Sequence, residues 1–180
     1  MTTTINASTS SGLVVTPDNS GNVLLQYNGV AAPAFGVYQS SAQSISSGAS
    51  IVQFQTKEFD TAGCFNNTGS TVTLNGLSVP AWSFCPNVAG YYQININVRT
   101  NISNIEAQSS IYKNGIGFKN GSDVAVSANA SQLGTVAASV IYLNGTGDYI
   151  YGGIYIGGGS TTLSANGSST YFNGCLLRGA

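Results

Sequence analysis

Apolar residues recur at every second position in several short segments of this chain, and this alternation limits the possible folds more than any other feature. In "YYQININV", residues 91–98, one side of the segment is apolar while the other carries amide side chains. That pattern is typical of an antiparallel strand with one buried face. Similar segments follow one another along most of the chain, so we expect many short strands.

Turn residues separate these segments. Asn114-Gly115, Asn120-Gly121 and Asn144-Gly145 all tolerate the positive φ angles of tight turns. No window of helical length carries an apolar stripe at a spacing of 3.6 residues. The sequence therefore predicts an all-β fold, a sandwich or barrel, of which an antiparallel jelly roll is one form.

Charge is scarce in this chain of 180 residues. Charged residues make up 6% of it and the formal net charge is -1, so no basic surface is available to attract nucleic acid or an anionic membrane. No segment is long and apolar enough to span a bilayer. Ser, Thr, Asn and Gln must supply the polar surface, which is typical of an assembly or adhesion protein.

The glycine-rich stretch "GTGDYIYGGIYIGGGS", residues 145–160, resembles a nucleotide-binding loop at first sight. It contains no Lys or Arg, whereas a P-loop ends in Lys followed by Ser or Thr. A dinucleotide-binding fingerprint opens a helix, but β-branched and aromatic residues follow Gly147. Nucleotide binding is therefore not expected, nor is any other cofactor.

The residues also argue against common catalytic and metal sites. The chain has no His, which excludes a Ser-His-Asp hydrolase and a His-containing zinc site. Glu58 and Asp60 share one face of a predicted strand and could form a carboxylate pair, but a solvated strand face beside Lys57 is the favoured interpretation. We expect a protein that is not an enzyme, with no catalytic and no metal-binding residues.

Three cysteines, Cys64, Cys85 and Cys175, lack C-x-x-C spacing. We interpret them as buried thiols, because free Cys behaves as a small hydrophobic residue. A single bridge, such as one between Cys64 and Cys85, is the alternative.

Residues 1–33 differ in composition from the rest. They offer two short strands around "TPDNSG", which is too little apolar surface to fold alone. We expect a short N-terminal β-hairpin or extended arm that anchors to a partner. Its predicted contact residues are Leu13, Val15, Leu24 and Leu25. The first residues lack a basic region followed by an apolar stretch, so no secretory signal is expected.

Residues 34–180 resemble the globular-head family of complement C1q, which shares its jelly roll with tumour necrosis factor (TNF). The resemblance rests on the following segments, in family order: "PAFGVYQSS", "IVQFQTKEFDTAGCFNN", "FCPNVAGYYQI", "IYKNG", "GDYIY" and "STYFNGCLL". It implies an antiparallel jelly-roll head that forms a homotrimer. In this context Asp148 is interpreted as a residue that hydrogen-bonds backbone in a turn, with calcium binding, together with Asp123, as the alternative.

The segment "DYIYGGIYI" is apolar or aromatic on both faces. We interpret it as two inner strand segments broken by Gly152-Gly153, with one face in the core and the other against a neighbouring subunit. A strand buried on both sides within one chain is the alternative. The predicted core or trimer contacts are Tyr92, Tyr149, Tyr151, Ile154 and Phe172.

The stretch "SGLVVTPDNSGNVLLQYNG" resembles a segment found ahead of C1q-like heads in virion proteins of tailed bacteriophages. This resemblance implies a virion surface protein made in the host bacterial cytoplasm. The favoured function is a trimeric capsid decoration (cement) protein whose arm grips other virion proteins, above all the major capsid protein. The alternative is a short tail fibre that recognises host surface glycan through aromatics such as Tyr38 and Trp82. A cellular adhesion module is a further alternative.

Overall fold

Strands form the regular structure of this chain, and the period-two segments pair edge to edge. The computed structural model describes residues 26–27, 30–101, 105–125 and 132–180, and these residues contain no helix. The strands are β1 (Gln26–Tyr27), β2 (Val30–Ala31), β3 (Ala34–Tyr38), β4 (Gln43–Ile45), β5 (Gly48–Ile51), β6 (Thr56–Asp60), β7 (Val72–Leu74), β8 (Leu77–Val79), β9 (Ser83–Phe84), β10 (Gly90–Thr100), β11 (Glu106–Lys113), β12 (Ile116–Ala125), β13 (Leu133–Leu143), β14 (Ile150–Gly157), β15 (Thr161–Leu163) and β16 (Tyr171–Gly179).

The first sheet is built around β10, where the alternation of the sequence is clearest. β13 pairs with β10 along its whole length, from Gly90 opposite Leu143 to Thr100 opposite Leu133. β16 lies on the other side of β10, followed by β3 and then β6. The short strands β15 and β4 continue the sheet beyond the start of β16. β10 is therefore hydrogen-bonded on both sides.

The second sheet has β11 between β12 and β14, and β5 and β9 pair with successive parts of the far edge of β14. Every pairing in both sheets is antiparallel. The chain passes from one sheet to the other after β4, β5, β6, β9, β10, β12, β13 and β14, and the passage after β6 includes the separate hairpin of β7 and β8. Such crossing between two packed sheets is the connectivity of a jelly roll.

The core lies between the two sheets. Tyr92, Ile94, Ile96 and Val98 alternate along β10 and are at most 1% exposed, which confirms the predicted buried face. Phenylalanine rings fill the centre: Phe35 lies 4.3 Å from Phe84, 5.3 Å from Phe65 and 5.0 Å from Phe172, measured between ring centroids. These contacts join strands from both sheets into one hydrophobic core.

Two of the three predicted Asn-Gly turns are confirmed. Asn114 and Gly115, with φ of 52° and 83°, connect β11 to β12, and Gly145, with φ of 71°, lies in the loop before β14. The turn predicted at Asn120-Gly121 is wrong, because both residues lie within β12. There the β11–β12 register shifts, and a side chain at 121 would collide with the Val136 backbone.

The predicted interruption at Gly152-Gly153 is also wrong, since β14 runs unbroken through both glycines. A Cβ at Gly152 would collide with Ile96, and a Cβ at Gly153 would lie 2.5 Å from the ring of Tyr112. The two glycines therefore make room for neighbouring side chains on either face of a continuous strand.

The arm lies mostly outside the described residues. β1 and β2 pair with each other, with Gln26 opposite Ala31. The predicted arm contacts Leu13, Val15, Leu24 and Leu25 lie outside the described residues, as does the predicted turn "TPDNSG".

Candidate functional site

The outer face of the first sheet carries apolar side chains that point away from the core. On β13, Val136, Val140 and Tyr142 are 54%, 50% and 42% exposed, while Ala137 and Ile141, between them in sequence, are buried. The strand is therefore apolar on both faces. The sequence signal was the run "VIYL", in which apolar residues occupy consecutive positions rather than alternate ones.

Aromatic and cationic side chains extend this strip onto neighbouring strands. Tyr91 lies opposite Tyr142 in the β10–β13 pairing, with ring centroids 5.5 Å apart. The Arg178 guanidinium lies 5.2 Å from the Tyr91 ring centroid, and the Lys113 ammonium lies 5.8 Å from that of Tyr142. Leu177, on β16, is 56% exposed. We call the outer face of β10, β13 and β16 the first-sheet face.

A row of amides runs along the middle of the first-sheet face. The Gln93 amide donates to Asn95 Oδ1 at 2.9 Å, and Asn95 in turn donates to Asn173 Oδ1 at 2.9 Å. Asn97 donates to the carbonyl of Ser169 at 2.6 Å. These amides bond to one another and to the backbone. Because amides are also uncharged, another surface can cover this row without burying a charge.

An open pocket of about 180 Å³ lies beside the amide row. It is lined by Ala34, Phe35, Glu58, Phe59, Asn95, Asn173, Gly174 and Cys175. The interpretation of all three cysteines as buried thiols is therefore wrong for Cys175, which is exposed. Its position in β16 points the side chain outward, because Gly174, adjacent to it, packs against Ile94 in the core.

Cys64 and Cys85 are buried and free. They face each other on two paired segments, since the Cys85 amide donates to the Cys64 carbonyl at 2.9 Å. Burial is the main cause that raises the pKa of both thiols, that of Cys85 to about 11. Both side chains are thus kept as neutral thiols in the fold.

The predicted core or trimer residues fall into two groups. Tyr92, Ile154 and Phe172 are fully buried within the chain, and burial raises the pKa of Tyr92, whose hydroxyl donates to the Val88 carbonyl at 2.7 Å. Tyr149 and Tyr151 lie half-buried on the outer face of the second sheet. There Tyr112 and Tyr151 stack at 4.9 Å with an angle of 6° between their planes.

Asp148 has the turn role that the sequence predicts. It accepts hydrogen bonds from the backbone N–H of Asn144 at 3.1 Å and from Asn114 Nδ2 at 2.7 Å, and it forms an ion pair with Lys113 Nζ at 2.9 Å. Burial opposes the charged form of Asp148, but these bonds outweigh it and lower the pKa of the carboxyl. They also tie the loop before β14 to the β11–β12 turn.

Asp123 does not accompany Asp148. It pairs with Gln108 at one end of β11, whereas Asp148 contacts Asn114 just beyond the other end. Six residues of extended strand separate these positions by about 20 Å. Within the described ranges no group of three or more Cys, Asp or Glu side chains is placed to hold a metal ion.

Glu58 and Asp60 have different environments. Glu58 is exposed, as its interpretation as part of a solvated face requires. The Asp60 side chain is 6% exposed and accepts bonds from the amides of Cys64 and Phe65 and from Lys57. It therefore stabilises the loop after β6, and the solvated interpretation is wrong for this residue.

The aromatics considered for glycan contact, Tyr38 and Trp82, are both half-buried. The Tyr38 ring packs over Gly167, where a Cβ would lie 3.0 Å from it. Trp82 has a φ of 57° and lies near Gly69. Among the described residues, neither ring pairs with another aromatic ring.

No protein-family model matches this chain, and no curated protein matches its sequence. In the part of the chain that the structure describes, no helix has the length and apolar character needed to cross a membrane.

Solved structures do match. Murine APRIL at pH 5.0 aligns with a TM-score of 0.55 and 14% identity, over 81% of this chain and 99% of that one. The globular domain of zebrafish complement 1qA aligns with a TM-score of 0.55 and 16% identity, over 83% and 99%. Eiger TNF from S. frugiperda aligns with a TM-score of 0.55 and 10% identity, over 83% and 94%. The protein therefore has the antiparallel C1q/TNF-like jelly-roll fold that the sequence predicts.

Proposed function

We propose that this protein is a non-enzymatic structural protein of a bacteriophage virion, a homotrimer that decorates the capsid shell. In this proposal residues 1–33 anchor the protein to other virion proteins, chiefly the major capsid protein. The jelly-roll head of residues 34–180 projects outward. The protein is made in the host bacterial cytoplasm and ends on the virion surface.

The first-sheet face carries the trimer proposal. Val136, Val140, Tyr142, Tyr91 and Leu177 place 40–56% of their surfaces in water on one side of one sheet. A contiguous apolar patch on a soluble protein marks a surface that another molecule covers. The resemblance to C1q and TNF heads implies that the covering molecule is another copy of the chain. The fold of the head agrees with this assignment.

The proposal accordingly puts the subunit contact on the first-sheet face and not on the tyrosine side of β14. Tyr142 and its neighbours are more exposed than Tyr149 and Tyr151, which partly bury each other. The amides beside the apolar strip also suit a protein interface, because they carry no charge and part of their hydrogen bonding is already made within the subunit.

The N-terminal segment supports the virion context, through its resemblance to the segment that precedes C1q-like heads in tailed-phage proteins. The Ser-, Thr- and Asn-rich composition, with 6% charged residues, gives a neutral surface that suits dense packing on a shell. Residues 1–33 lead directly into the head and contain no repeats of the kind that build a shaft.

A non-enzymatic role is supported by how two carboxylates with little exposure, both in the described part of the chain, are used. Asp60 and Asp148 each accept backbone and lysine hydrogen bonds. A carboxylate that is already paired on both oxygens serves poorly as a general base or nucleophile.

Counting copies in purified virions tests the location. The ratio of this protein to the major capsid protein is measured by quantitative mass spectrometry of intact particles. Hundreds of copies per particle are expected for a decoration protein. A few dozen or fewer would contradict shell decoration and favour the alternative, a short tail fibre that recognises host glycan.

A further inference from the structure

Three amides of the first-sheet face form a hydrogen-bond chain with two open ends. Gln93 Nε2 donates to Asn95 Oδ1, and Asn95 Nδ2 donates to Asn173 Oδ1, both at 2.9 Å. Among the described residues, Gln93 Oε1 accepts no hydrogen bond and Asn173 Nδ2 donates none. The amide chain therefore presents an acceptor at its Gln93 end and a donor at its Asn173 end.

The direction of the amide chain strengthens both open ends. Each bond in a chain of hydrogen bonds polarises the next. Gln93 donates through its nitrogen, so its oxygen becomes a better acceptor, and Asn173 accepts through its oxygen, so its nitrogen becomes a better donor. Of the described side chains, the buried polar atoms without a partner are Gln39 Oε1 and Thr161 Oγ1. Both ends of the amide chain thus reach solvent in the single subunit, where water can satisfy them.

The amide chain lies directly beside the apolar strip of β13. Gln93 and Asn95 are opposite Val140 and Ala138 in the β10–β13 register, and Val140 is 50% exposed. A surface that covers Val140 therefore also covers Gln93 and displaces the water around it. The open ends must then find partners on the covering surface, because a buried amide group without a partner destabilises a complex.

The donor end borders the open pocket of about 180 Å³, which Asn95, Asn173 and Glu58 help to line. A cavity of this size has room for one side chain. A side chain that projects from a neighbouring molecule can therefore reach the Asn173 amide.

We propose that these amide chains join end to end between copies of the protein, with Asn173 Nδ2 of each subunit donating to Gln93 Oε1 of the next. In a closed ring of subunits each copy contributes one surface and receives another. Every donor end then meets an acceptor end, and none is left over. An apolar partner would leave both ends unpaired, so the amide chain selects a second copy over other apolar surfaces. The pairing rests on the proposed trimer and identifies residues that make its contact specific.

Two charge substitutions test the pairing. Asn173→Asp removes the open donor but keeps the oxygen to which Asn95 donates. Gln93→Lys removes the open acceptor but keeps a donor for Asn95. Each should lower the trimer association constant by at least about a hundredfold, because every subunit contact loses a hydrogen bond and buries an unpaired charge. The double variant places a carboxylate against an ammonium at each contact, and it should associate at least about tenfold more tightly than either single variant.

Sedimentation equilibrium of the full chain near neutral pH measures the association constant of each protein, and circular dichroism checks that each is folded. Asn120→Asp is the matched control. Asn120 Oδ1 also accepts a hydrogen bond within the chain, from Ser110 Oγ at 3.0 Å, but Asn120 lies on β12 of the second sheet. This control should assemble as wild type does.

The wild-type measurement separates failure of this pairing from failure of the proposed function. If wild type is a trimer and either single variant associates as tightly as wild type, the pairing is overturned while the trimer stands. The same holds if the double variant associates no more tightly than the single variants, because Asn173 and Gln93 then do not face each other. A monomeric wild type would overturn the trimer itself, and the pairing with it.

Discussion

Replacing Tyr142 by Asp should convert the proposed trimer into monomers. Tyr142 is 42% exposed in the single chain. A fully buried tyrosine removes about 200 Å² from water, so covering the part of Tyr142 that is still exposed removes roughly 80 Å². At about 25 cal/mol per Å² this contributes about 2 kcal/mol per subunit, or about 6 kcal/mol for three. Since about 1.4 kcal/mol is a tenfold change, the trimer association constant should fall by about four orders of magnitude. The desolvation of three carboxylates adds to the loss.

Within the single chain the same change costs little. Tyr142 gives up its ring contact with Tyr91, which is worth about 1 kcal/mol, and no buried core residue is touched. The new carboxylate remains in water when the subunit is alone. The variant should therefore fold, with an unchanged β-sheet circular dichroism spectrum.

Tyr155→Asp is the matched control. Tyr155 is 41% exposed, close to the 42% of Tyr142, but it lies on the second sheet. Light scattering coupled to size-exclusion chromatography should give three times the 18.4 kDa chain mass for wild type and for Tyr155→Asp, and one chain mass for Tyr142→Asp. If Tyr142→Asp remains a trimer at the same concentration, the first-sheet face is not the subunit contact. If wild type is itself monomeric, the trimer proposal fails.

Three other predictions concern the core, the pH dependence and the thiols. Phe172→Ala should lower the free energy of unfolding by about 3–5 kcal/mol in urea titrations, because its ring is fully buried against Phe35 and two other phenylalanines; a loss below about 1 kcal/mol would contradict the packing described. The pKa of the Asp148 carboxyl is lower in the folded protein than its unfolded-state value near 3.8. The contribution of Asp148 to the free energy of unfolding is therefore complete above that unfolded-state pKa, and it is lost as the pH falls through the folded-state pKa. Wild type should therefore exceed Asp148→Asn in urea midpoint at about pH 6, with a gap that narrows below about pH 4; a gap independent of pH would count against the network. Cys175 should react with a disulfide reagent in the Tyr142→Asp protein, and the proposed trimer should protect it in wild type. Cys64 and Cys85 should react in neither protein until the chain unfolds. Rapid labelling of all three thiols in native wild type would refute this prediction.

The sequence predicts the sheets well wherever one face of a strand is buried and the other is polar. Along β10 every second residue from Tyr92 to Val98 is in the core, because a shift of one residue would expose the whole apolar set. Asn114-Gly115 is likewise predictable, since a two-residue hairpin turn demands positive φ at both positions.

Prediction fails where a glycine serves packing instead of backbone conformation. Gly121, Gly152 and Gly153 all lie within strands, and each accommodates a side chain or backbone from another element. From one sequence such a glycine looks like a turn or a break, because the residue that occupies its space is distant in the chain.

The apolar character of a candidate surface can be predicted from the sequence, but the residues that come together to form it cannot. The sequence indicates that β14 is apolar on both faces, but which side chains its outer face meets depends on strand pairing. Tyr112 and Tyr151 come together only because β11 and β14 are neighbours. Cys175 was assigned to the interior because its type favours burial, whereas the register of β16 places it outside.

The position of β16 has a consequence for how the protein is made. β16, residues 171–179, lies between β10 and β3, and β10 pairs with β13 on its other side. The first sheet therefore cannot close early in translation, because this inner strand is made after all the other strands of the sheet. Until then one edge of β3 and one edge of β10 lack their hydrogen-bonding partner, and unpaired strand edges of this kind are prone to aggregation. If a ribosome stalls shortly before residue 171, the chain lacks β16 and its first sheet stays divided between β10 and β3. The stalled nascent protein should therefore be sensitive to protease. Once synthesis continues through residue 179, β16 can join the two parts, and the protein should become resistant in a single step.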